Sequence, residues 1–229
     1  MTHMEALAIR AILLRFTPNI HSLFGGDIML YSYYQETELE QWISAKYLNH
    51  GIISAAEHDI EHIARAFDIE LVYEDCPSFS DNEDRVIFLN KHADDLTARV
   101  VFFHELCHVL RHTGDQRSMP VLFRNAQETE ADQFVLYAAL PFYMFAKLNL
   151  PDQRAEAIPF LAEHFRVPYH LAEQRLDQIQ RRVLHGSLMA AAREADRRRQ
   201  PVVPQGWSYE TRKVMEQLER QVGGLRRNS

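Results

Sequence analysis

The residues of this 229-residue chain that could do chemistry lie between positions 104 and 132. The first group, 104–108, reads HELCH, a H-E-x-x-H motif inside the apolar helical stretch VVFFHELCHVL. Because residues four apart lie ~40° apart around a helix, His104 and His108 project from one face and can bind one Zn²⁺ ion. Glu105 lies ~100° from His104, where its carboxylate can take a proton from a water molecule beside the metal. The motif therefore predicts metal-assisted hydrolysis.

A second acidic group supplies the further ligand that a zinc site needs. Glu128 and Asp132 lie four residues apart at the start of a predicted helix and share one face of it. Glu128 can bind the metal, while Asp132 can accept a hydrogen bond from the outer N–H of a ligating histidine. Glu130 is the alternative ligand, but only Glu128 is followed four residues later by an aspartate. Three protein ligands leave one metal position for water, as in catalytic zinc sites.

Other polar side chains near the motif are expected to have supporting or structural roles. His112, one turn beyond His108, is expected to contact the site without binding the metal. Cys107 points away from the metal face and is expected to be a thiol of the core. The oxyanion of the transition state also requires a hydrogen-bond donor. Four residues could donate to it: Tyr137, Tyr143, His112 and Arg111.

Capping signals predict the helices that precede the motif. Thr37 with Glu40 forms a capping box before apolar residues at helical spacing, and Gly51 ends that run. Ser54 with Glu57 repeats the pattern and is expected to open a second helix. Both helices would lie before the active-site helix in the chain.

The remaining patterns predict an α+β protein. β-prone runs at 69–73 and 85–89 predict two or three strands in a small sheet. The active-site helix is expected from 94 to 114, and the next from 125 to 140. Shorter helices are expected over 152–165 and 168–184. The predicted fold is mainly helical, with the small sheet packed on the active-site helix and a helical C-terminal region.

Composition indicates an ordinary soluble globular protein. The chain carries a formal charge of -7, with 46% hydrophobic and 25% charged residues. The longest apolar stretch near the N-terminus, 6–16, is broken by Arg10 and Arg15 and is far shorter than the ~20 residues of a membrane span. No membrane span and no signal peptide are expected. Two cysteines, Cys76 and Cys107, suit a reducing compartment, so a cytoplasmic location is expected.

The distribution of charge and of helix-breaking residues predicts four segments. Residues 181–229 hold eleven basic and five acidic side chains, a net charge of +6, while the preceding residues carry -13. We expect an N-terminal extension over 1–28, a domain that contains the metal site over 29–148 and a helical subdomain resembling a helix-turn-helix over 149–185. A basic helical tail would follow over 186–229.

The basic tail supports an alternative function. Its arginines at 193–199 and at 226–227 could bind nucleic acid or an acidic partner, making the protein a DNA- or protein-binding regulator with a structural zinc ion. The mixed signs of Arg193-Glu194 and Asp196-Arg197 are instead typical of a solvated helix. The stretch also lacks the interleaved aromatic residues of a stacking surface, so direct nucleic-acid binding is not expected.

The paired motifs resemble a known family. HELCHVLRH at 104–112, followed by ETEADQFVLYAALP at 128–141, is similar to the ImmA/IrrE zinc metallopeptidases. Their pattern is H-E-x-x-H, often extended to a further histidine, then E-x-x-A-[ND] opening a helix that ends in proline. The resemblance is best over 31–145 and continues weakly to about 182. It implies that His104, His108 and Glu128 bind one zinc ion and that Glu105 is the general base.

The same resemblance implies a partner. Members of the family are soluble intracellular zinc proteases that cut one regulatory protein, usually a helix-turn-helix repressor of a mobile element or a stress regulon. We therefore expect a site-specific endopeptidase whose protein substrate is such a repressor.

Overall fold

The described residues form eight helices and a three-stranded sheet, which confirms the predicted α+β class. The computed structural model describes residues 31–114, 119–199 and 208–225, so the predicted N-terminal extension over 1–28 lies outside them. The helices are α1 (Glu38–Asn49), α2 (Ile60–Ala66), α3 (Asp95–Arg111), α4 (Val121–Ala139), α5 (Phe142–Phe145), α6 (Arg154–Phe165), α7 (Tyr169–Arg199) and α8 (Tyr209–Leu225). The strands are β1 (Glu70–Glu74), β2 (Phe79–Asp81) and β3 (Val86–Asn90).

The chain divides into two compact units, Met1–Met189 and Ala190–Ser229. The described part of the second unit comprises the last residues of α7 and helix α8. In it, Arg198 Nε lies 3.1 Å from Glu194 Oε1, an ion pair one helical turn apart. The predicted segment boundaries at 28, 148 and 185 stay predictions. Among the described residues, no helix is both long and apolar enough to cross a membrane.

Helix α1 begins as its capping box predicts. Thr37 Oγ1 accepts a hydrogen bond from the backbone N–H of Glu40 at 3.2 Å, and Glu40 Oε2 accepts one from the N–H of Thr37 at 2.9 Å. Two backbone donors at the start of the helix are thereby satisfied. Helix α1 ends at Asn49, just before Gly51, whose φ of 76° suits glycine.

Only half of the second predicted capping box forms, because Ser54 Oγ accepts from the N–H of Ala56 rather than from that of Glu57, and no helix follows directly. The N–H of Ser54 donates to Glu57 Oε2 at 2.9 Å, but residues 54–57 form a turn. Helix α2 starts at Ile60 and is capped by Asp59, whose Oδ1 accepts from the N–H groups of the next turn. The prediction that Ser54 and Glu57 open this helix is wrong, because Asp59 is a strong N-cap placed directly before the apolar face.

The sheet supports helix α3, which carries the H-E-x-x-H motif. Strands β1 and β3 pair in parallel and β2 pairs with β3 antiparallel, giving the order β1-β3-β2. Strand β2 comes from the polar loop between the two predicted strands. Ile87 and Leu89 of β3 are fully buried, and β3 packs against α3. Helix α3 also packs against α4, so the motif lies on a helix fixed by both a strand and a helix.

Two helices are longer than predicted. Helix α4 begins at Val121, directly after Pro120, rather than at Asn125. Helix α7 runs to Arg199 instead of ending at Leu184, because the following residues are rich in alanine and arginine, which favour helix. Within α7, a Cβ atom at Gly186 would lie 2.1 Å from the carbonyl oxygen of Tyr33. Glycine at this position allows the backbone before α1 to cross the helix.

A buried ion-pair network joins α1 to α7. Arg175 is fully buried, and its Nη2 lies 2.7 Å from Glu40 Oε1. Arg175 also donates through Nε to the carbonyl of Leu140 at 3.1 Å, and Arg182 pairs with the other oxygen of Glu40. Burial acts to raise the pKa of Glu40, but the charge of Arg175 and a hydrogen bond from Tyr34 outweigh it and hold that pKa below its usual value.

A second buried cation contacts a histidine. Arg99 of α3 donates through Nη2 to Nδ1 of His58 and to the His58 carbonyl, each at 2.8 Å. The other ring nitrogen of His58 lies 2.7 Å from the carbonyl of Ala138. Burial and the charge of Arg99 lower the pKa of His58 to about 3, so this imidazole is neutral at neutral pH.

Candidate metal centre

Helix α3 carries the motif, in which His104 is half-buried and His108 is buried. Its first turn is capped by Asp94, whose Oδ1 accepts from the N–H groups of Leu96 and Thr97 at 3.1 and 3.0 Å. Phe103 and Leu106 are fully buried and anchor the opposite side of the helix in the core. The side chain of His104 keeps 24% of its accessible surface. The predicted helical geometry of the motif is therefore present.

Helix α4 brings Glu128 to the two histidines. The Nε2 atoms of His104 and His108 lie 3.1 Å apart. Glu128 Oε2 lies 3.2 Å from His104 Nε2, and Glu128 Oε1 lies 3.7 Å from His108 Nε2. Ligands bound to tetrahedral zinc at ~2.0–2.1 Å are ~3.3 Å from one another, so these spacings fit a shared ion. Within the described ranges, these residues make the one group of three such side chains that could hold a metal ion.

The other ring nitrogens of the two histidines face the residues predicted to orient them. Asp132 Oδ1 lies 3.5 Å from His104 Nδ1, and the Nδ1 atoms of His108 and His112 lie 2.8 Å apart. Burial and the neighbouring His104 lower the pKa of His108 to about 4. His108 is thus neutral at neutral pH, the form that binds metal.

Glu130, the alternative ligand, faces away from the three side chains. It pairs with Arg111, and its Oε2 lies 3.5 Å from His112 Nε2. Burial acts to raise the pKa of Glu130, but the hydrogen bond and charge of Arg111 outweigh it and lower the pKa. The guanidinium of Arg111 stacks over Trp42 at 4.8 Å from the ring centre. The geometry favours Glu128 as the third ligand, and the assignment stays a prediction.

Glu105 has a partner that sequence reasoning missed. The hydroxyl of Ser80, on β2, donates to Glu105 Oε2 at 2.7 Å. Burial raises the pKa of Glu105, although the Ser80 hydrogen bond and the nearby His104 oppose the shift. Since Ser80 stands 25 residues earlier in a polar loop, only the pairing of β2 with β3 could have indicated it.

An open cleft runs along α3 beside Glu105. Its volume is about 550 Å³. Its lining residues are Ser78, Asn90, His92, Ala93, Thr97, Val101, His104 and Glu105. From Thr97 to Glu105 the helix rises ~12 Å, the length of three to four residues of extended peptide. The cleft can therefore hold a segment of polypeptide next to Glu105.

Three of the four oxyanion candidates are engaged elsewhere. Tyr137 is buried, and its hydroxyl accepts hydrogen bonds from Gln178 and Arg182 at 3.0 and 2.6 Å. The Tyr143 hydroxyl donates to the carbonyl of Ile52 at 2.6 Å, and Arg111 pairs with Glu130. His112, the fourth candidate, faces His108 and Glu130.

The thiol of Cys107, within the motif, belongs to the core, as predicted. Cys107 is fully buried, and burial raises the pKa of its thiol to about 12. At neutral pH it is a protonated, unreactive side chain.

Comparison with known proteins finds a matching family and two similar proteins. The peptidase M78 family, described as the IrrE N-terminal-like domain, matches residues 55–177. The phage-like element PBSX protein XkdA of Bacillus subtilis (strain 168) is 36% identical over 148 residues, which cover 64% of this chain and 75% of that protein. The uncharacterised protein YqaB of the same strain is 30% identical over 145 residues, which cover 62% of this chain and 84% of that protein.

Proposed function

The chain belongs to the peptidase M78 family, and from that premise we propose that it is a zinc-dependent endopeptidase that cleaves one regulatory protein. Family membership points to a metallopeptidase. The observation that carries the proposal is the meeting of His104, His108 and Glu128 at zinc-ligand spacing, with Glu105 beside them in a cleft. Two imidazole nitrogens and a carboxylate are the donor set of many catalytic zinc sites.

The roles of the chain's own residues follow from their positions. His104, His108 and Glu128 would hold the ion, with Asp132 and His112 fixing the histidine rings. A bound zinc ion would supply Lewis acidity toward the carbonyl of the scissile bond and lower the pKa of a nearby water molecule. Glu105 accepts the proton from that water and then donates it to the leaving amine nitrogen.

The environment of Glu105 suits this proton transfer. A general base works best when its pKa is close to the working pH, and burial raises the pKa of Glu105 toward that range. The hydrogen bond from Ser80 keeps the carboxylate in one place while it exchanges the proton. The cleft beside it provides room for an extended segment rather than for a whole folded domain.

We propose that the substrate is a helix-turn-helix transcriptional repressor, encoded near this protein and cut at one site. The resemblance of the paired motifs to the ImmA/IrrE metallopeptidases supports this choice, and one relative bears the name of a phage-like element. We place the reaction in the cytoplasm, where a repressor acts and where the free thiols of Cys76 and Cys107 stay reduced.

Incubating the purified zinc-loaded protein with that repressor tests the proposal. We expect two discrete fragments and complete inhibition by a chelator, with activity restored by added Zn²⁺. Casein at the same concentration should remain intact, because a regulatory protease recognises one partner. General digestion of casein at a comparable rate would contradict the proposed specificity. A protein that binds zinc but cleaves nothing would instead favour the alternative of a binding regulator with a structural zinc ion.

A further inference from the structure

The hydroxyl of Ser80 contacts the proposed base from strand β2. It donates to Glu105 Oε2 at 2.7 Å, while His104 and His108, beside Glu105 on α3, face Glu128. We propose that Ser80 is a positioning residue for the peptidase reaction, acting on the rate through Glu105. The inference rests on the proposed function and deepens it.

Strand β2 holds the backbone of Ser80 in place. The strand pairs with β3, and Ser80 is aligned with Ile87, a fully buried residue of the core. On the other face of the same strand, the ring of Phe79 stacks on Phe88 with 4.5 Å between ring centres. Ser80 is therefore fixed by both the ladder and the cross-strand pair.

The turn after β2 is tethered to the end of the active-site helix. Asn82 donates through Nδ2 to the backbone carbonyl of His112 at 3.2 Å. Asp81 Oδ1 accepts from the N–H groups of Glu83 and Asp84, which closes the turn. This segment is thus fixed at two places: Ser80 of β2 contacts Glu105 of α3, and Asn82, directly after the strand, contacts His112, directly after the helix. This second contact keeps the hydroxyl of Ser80 over the carboxylate.

A fixed carboxylate matters because glutamate has three rotatable bonds. A hydrogen bond at Oε2 fixes the plane of the carboxylate and leaves Oε1 to accept the proton. Without the hydroxyl, Glu105 samples other rotamers and spends less time in the reactive orientation. Because Ser80 acts on the base and not on the substrate or the metal, its loss should lower kcat while KM and zinc content stay the same.

The test compares three variants of the full chain with the purified repressor as substrate. Ser80→Ala should lower kcat by about 10- to 100-fold, the range expected for a misplaced catalytic group. KM should stay within about twofold, as for an interaction made only in the transition state. Each sample should keep one equivalent of zinc. Ser80→Thr retains a hydroxyl and should restore kcat to near the wild-type value.

Ser44→Ala is the matched control. Ser44 Oγ donates to Glu36 Oε1 at 3.2 Å on α1, so this variant also removes a serine–glutamate hydrogen bond, but outside the metal centre. Its kcat should equal that of the wild type.

The outcomes separate this inference from the proposed function. If the wild type cuts the repressor and Ser80→Ala has the same kcat, the positioning role is wrong and the peptidase function stands. A raised KM with unchanged kcat would make Ser80 a substrate contact, and loss of zinc would make it part of the metal centre. Either result overturns the inference. If the wild type does not turn over, both the function and the inference fail.

Discussion

The Nδ1 atoms of His108 and His112 lie 2.8 Å apart, so the imidazole one turn beyond the motif contacts a predicted metal ligand directly. A metal at Nε2 of His108 leaves the hydrogen on Nδ1, which can then be donated to His112. His112 in turn presents Nε2 to Glu130 at 3.5 Å. The order of contacts is ligand, histidine, carboxylate, so His112 stands where proteins usually place a carboxylate, a backbone carbonyl or a water beside a metal-bound imidazole.

This contact predicts that His112→Ala weakens zinc binding without removing a ligand. The zinc dissociation constant should rise by about 10- to 100-fold, because loss of an orienting partner typically has that effect. Competition with a chromogenic chelator measures it. His170→Ala removes an exposed histidine of α7 and should leave the constant unchanged. Equal affinities in the two variants would show that His112 does not support His108.

The third ligand is tested by a pair of glutamine substitutions. Glu128→Gln should greatly reduce the bound zinc, since a neutral amide is a poor substitute for a carboxylate ligand. Glu130→Gln should leave the zinc content close to one equivalent, because Glu130 faces Arg111 and His112. Metal analysis of the two dialysed proteins gives the answer. The opposite pattern would exchange the two roles and remove Asp132 from its predicted place beside a ligand.

Glu105→Gln should keep the fold and the zinc ion and lose turnover. Positioned proton transfer contributes ~10²–10⁴ to the rate, and a glutamine of nearly equal shape cannot accept the proton. Zinc content and cleavage must be measured on one sample, because a loss of cleavage identifies the base only if the zinc ion is still bound. Cleavage at the wild-type rate would make the motif structural, whereas loss of zinc would make Glu105 a ligand.

The buried His58 predicts a loss of stability in mild acid. Its pKa is about 3 in the folded protein and ~6.5 in the unfolded chain, so between these values the unfolded chain binds more protons. The free energy of unfolding therefore falls as the pH drops, by about 2 kcal/mol between pH 7 and 5 from this group. Urea unfolding of the metal-free protein at several pH values measures the slope.

A non-titrating variant isolates the contribution of His58. His58→Gln keeps a donor for the Ala138 carbonyl and an acceptor for Arg99, and it should flatten the slope over this pH range. His170→Gln, at an exposed position, should not. An unchanged slope in the His58 variant would assign the acid sensitivity to other groups.

The buried network around Glu40 predicts unequal costs for two arginine substitutions. Arg175→Met leaves the carboxylate of Glu40 buried with only Arg182 opposite, and the free energy of unfolding should fall by about 3 kcal/mol, near the lower end for a broken buried pair. Arg154→Met breaks surface pairs with Glu173 and Asp177 and should lower it by no more than ~1 kcal/mol. Chemical denaturation compares them, and similar small losses would contradict a structural role for the network.

Local patterns predicted the parts of the fold that local forces decide. The capping box at Thr37 and the spacing of His104 and His108 depend on contacts within one turn of helix, and both are present. Only half of the box at Ser54 forms, with the Glu57 carboxylate accepting from the Ser54 N–H, and Asp59 caps the helix because the apolar face begins directly after it. A capping-box pattern in the sequence does not guarantee that a helix follows.

The contacts that sequence could not supply are those between distant segments. Ser80 reaches Glu105 only because β2 pairs with β3. The polar sequence that contains β2 carries no signal that predicts a strand. Arg175 and Glu40 are 135 positions apart, and each is of a charged residue type that usually lies on the surface. Charge counts along the chain cannot reveal which few charges are buried.

The close crossing at Gly186 predicts that two features of the sequence vary together among related chains. A side chain at this position would overlap the carbonyl oxygen of Tyr33, so any larger residue requires the segment before α1 to follow another path. Among relatives, glycine at the position of Gly186 should therefore occur together with a backbone that crosses α7 before α1. A larger residue at that position should occur with a segment before α1 that follows another path. The two features should be inherited as a pair, even though 153 positions separate them in the chain.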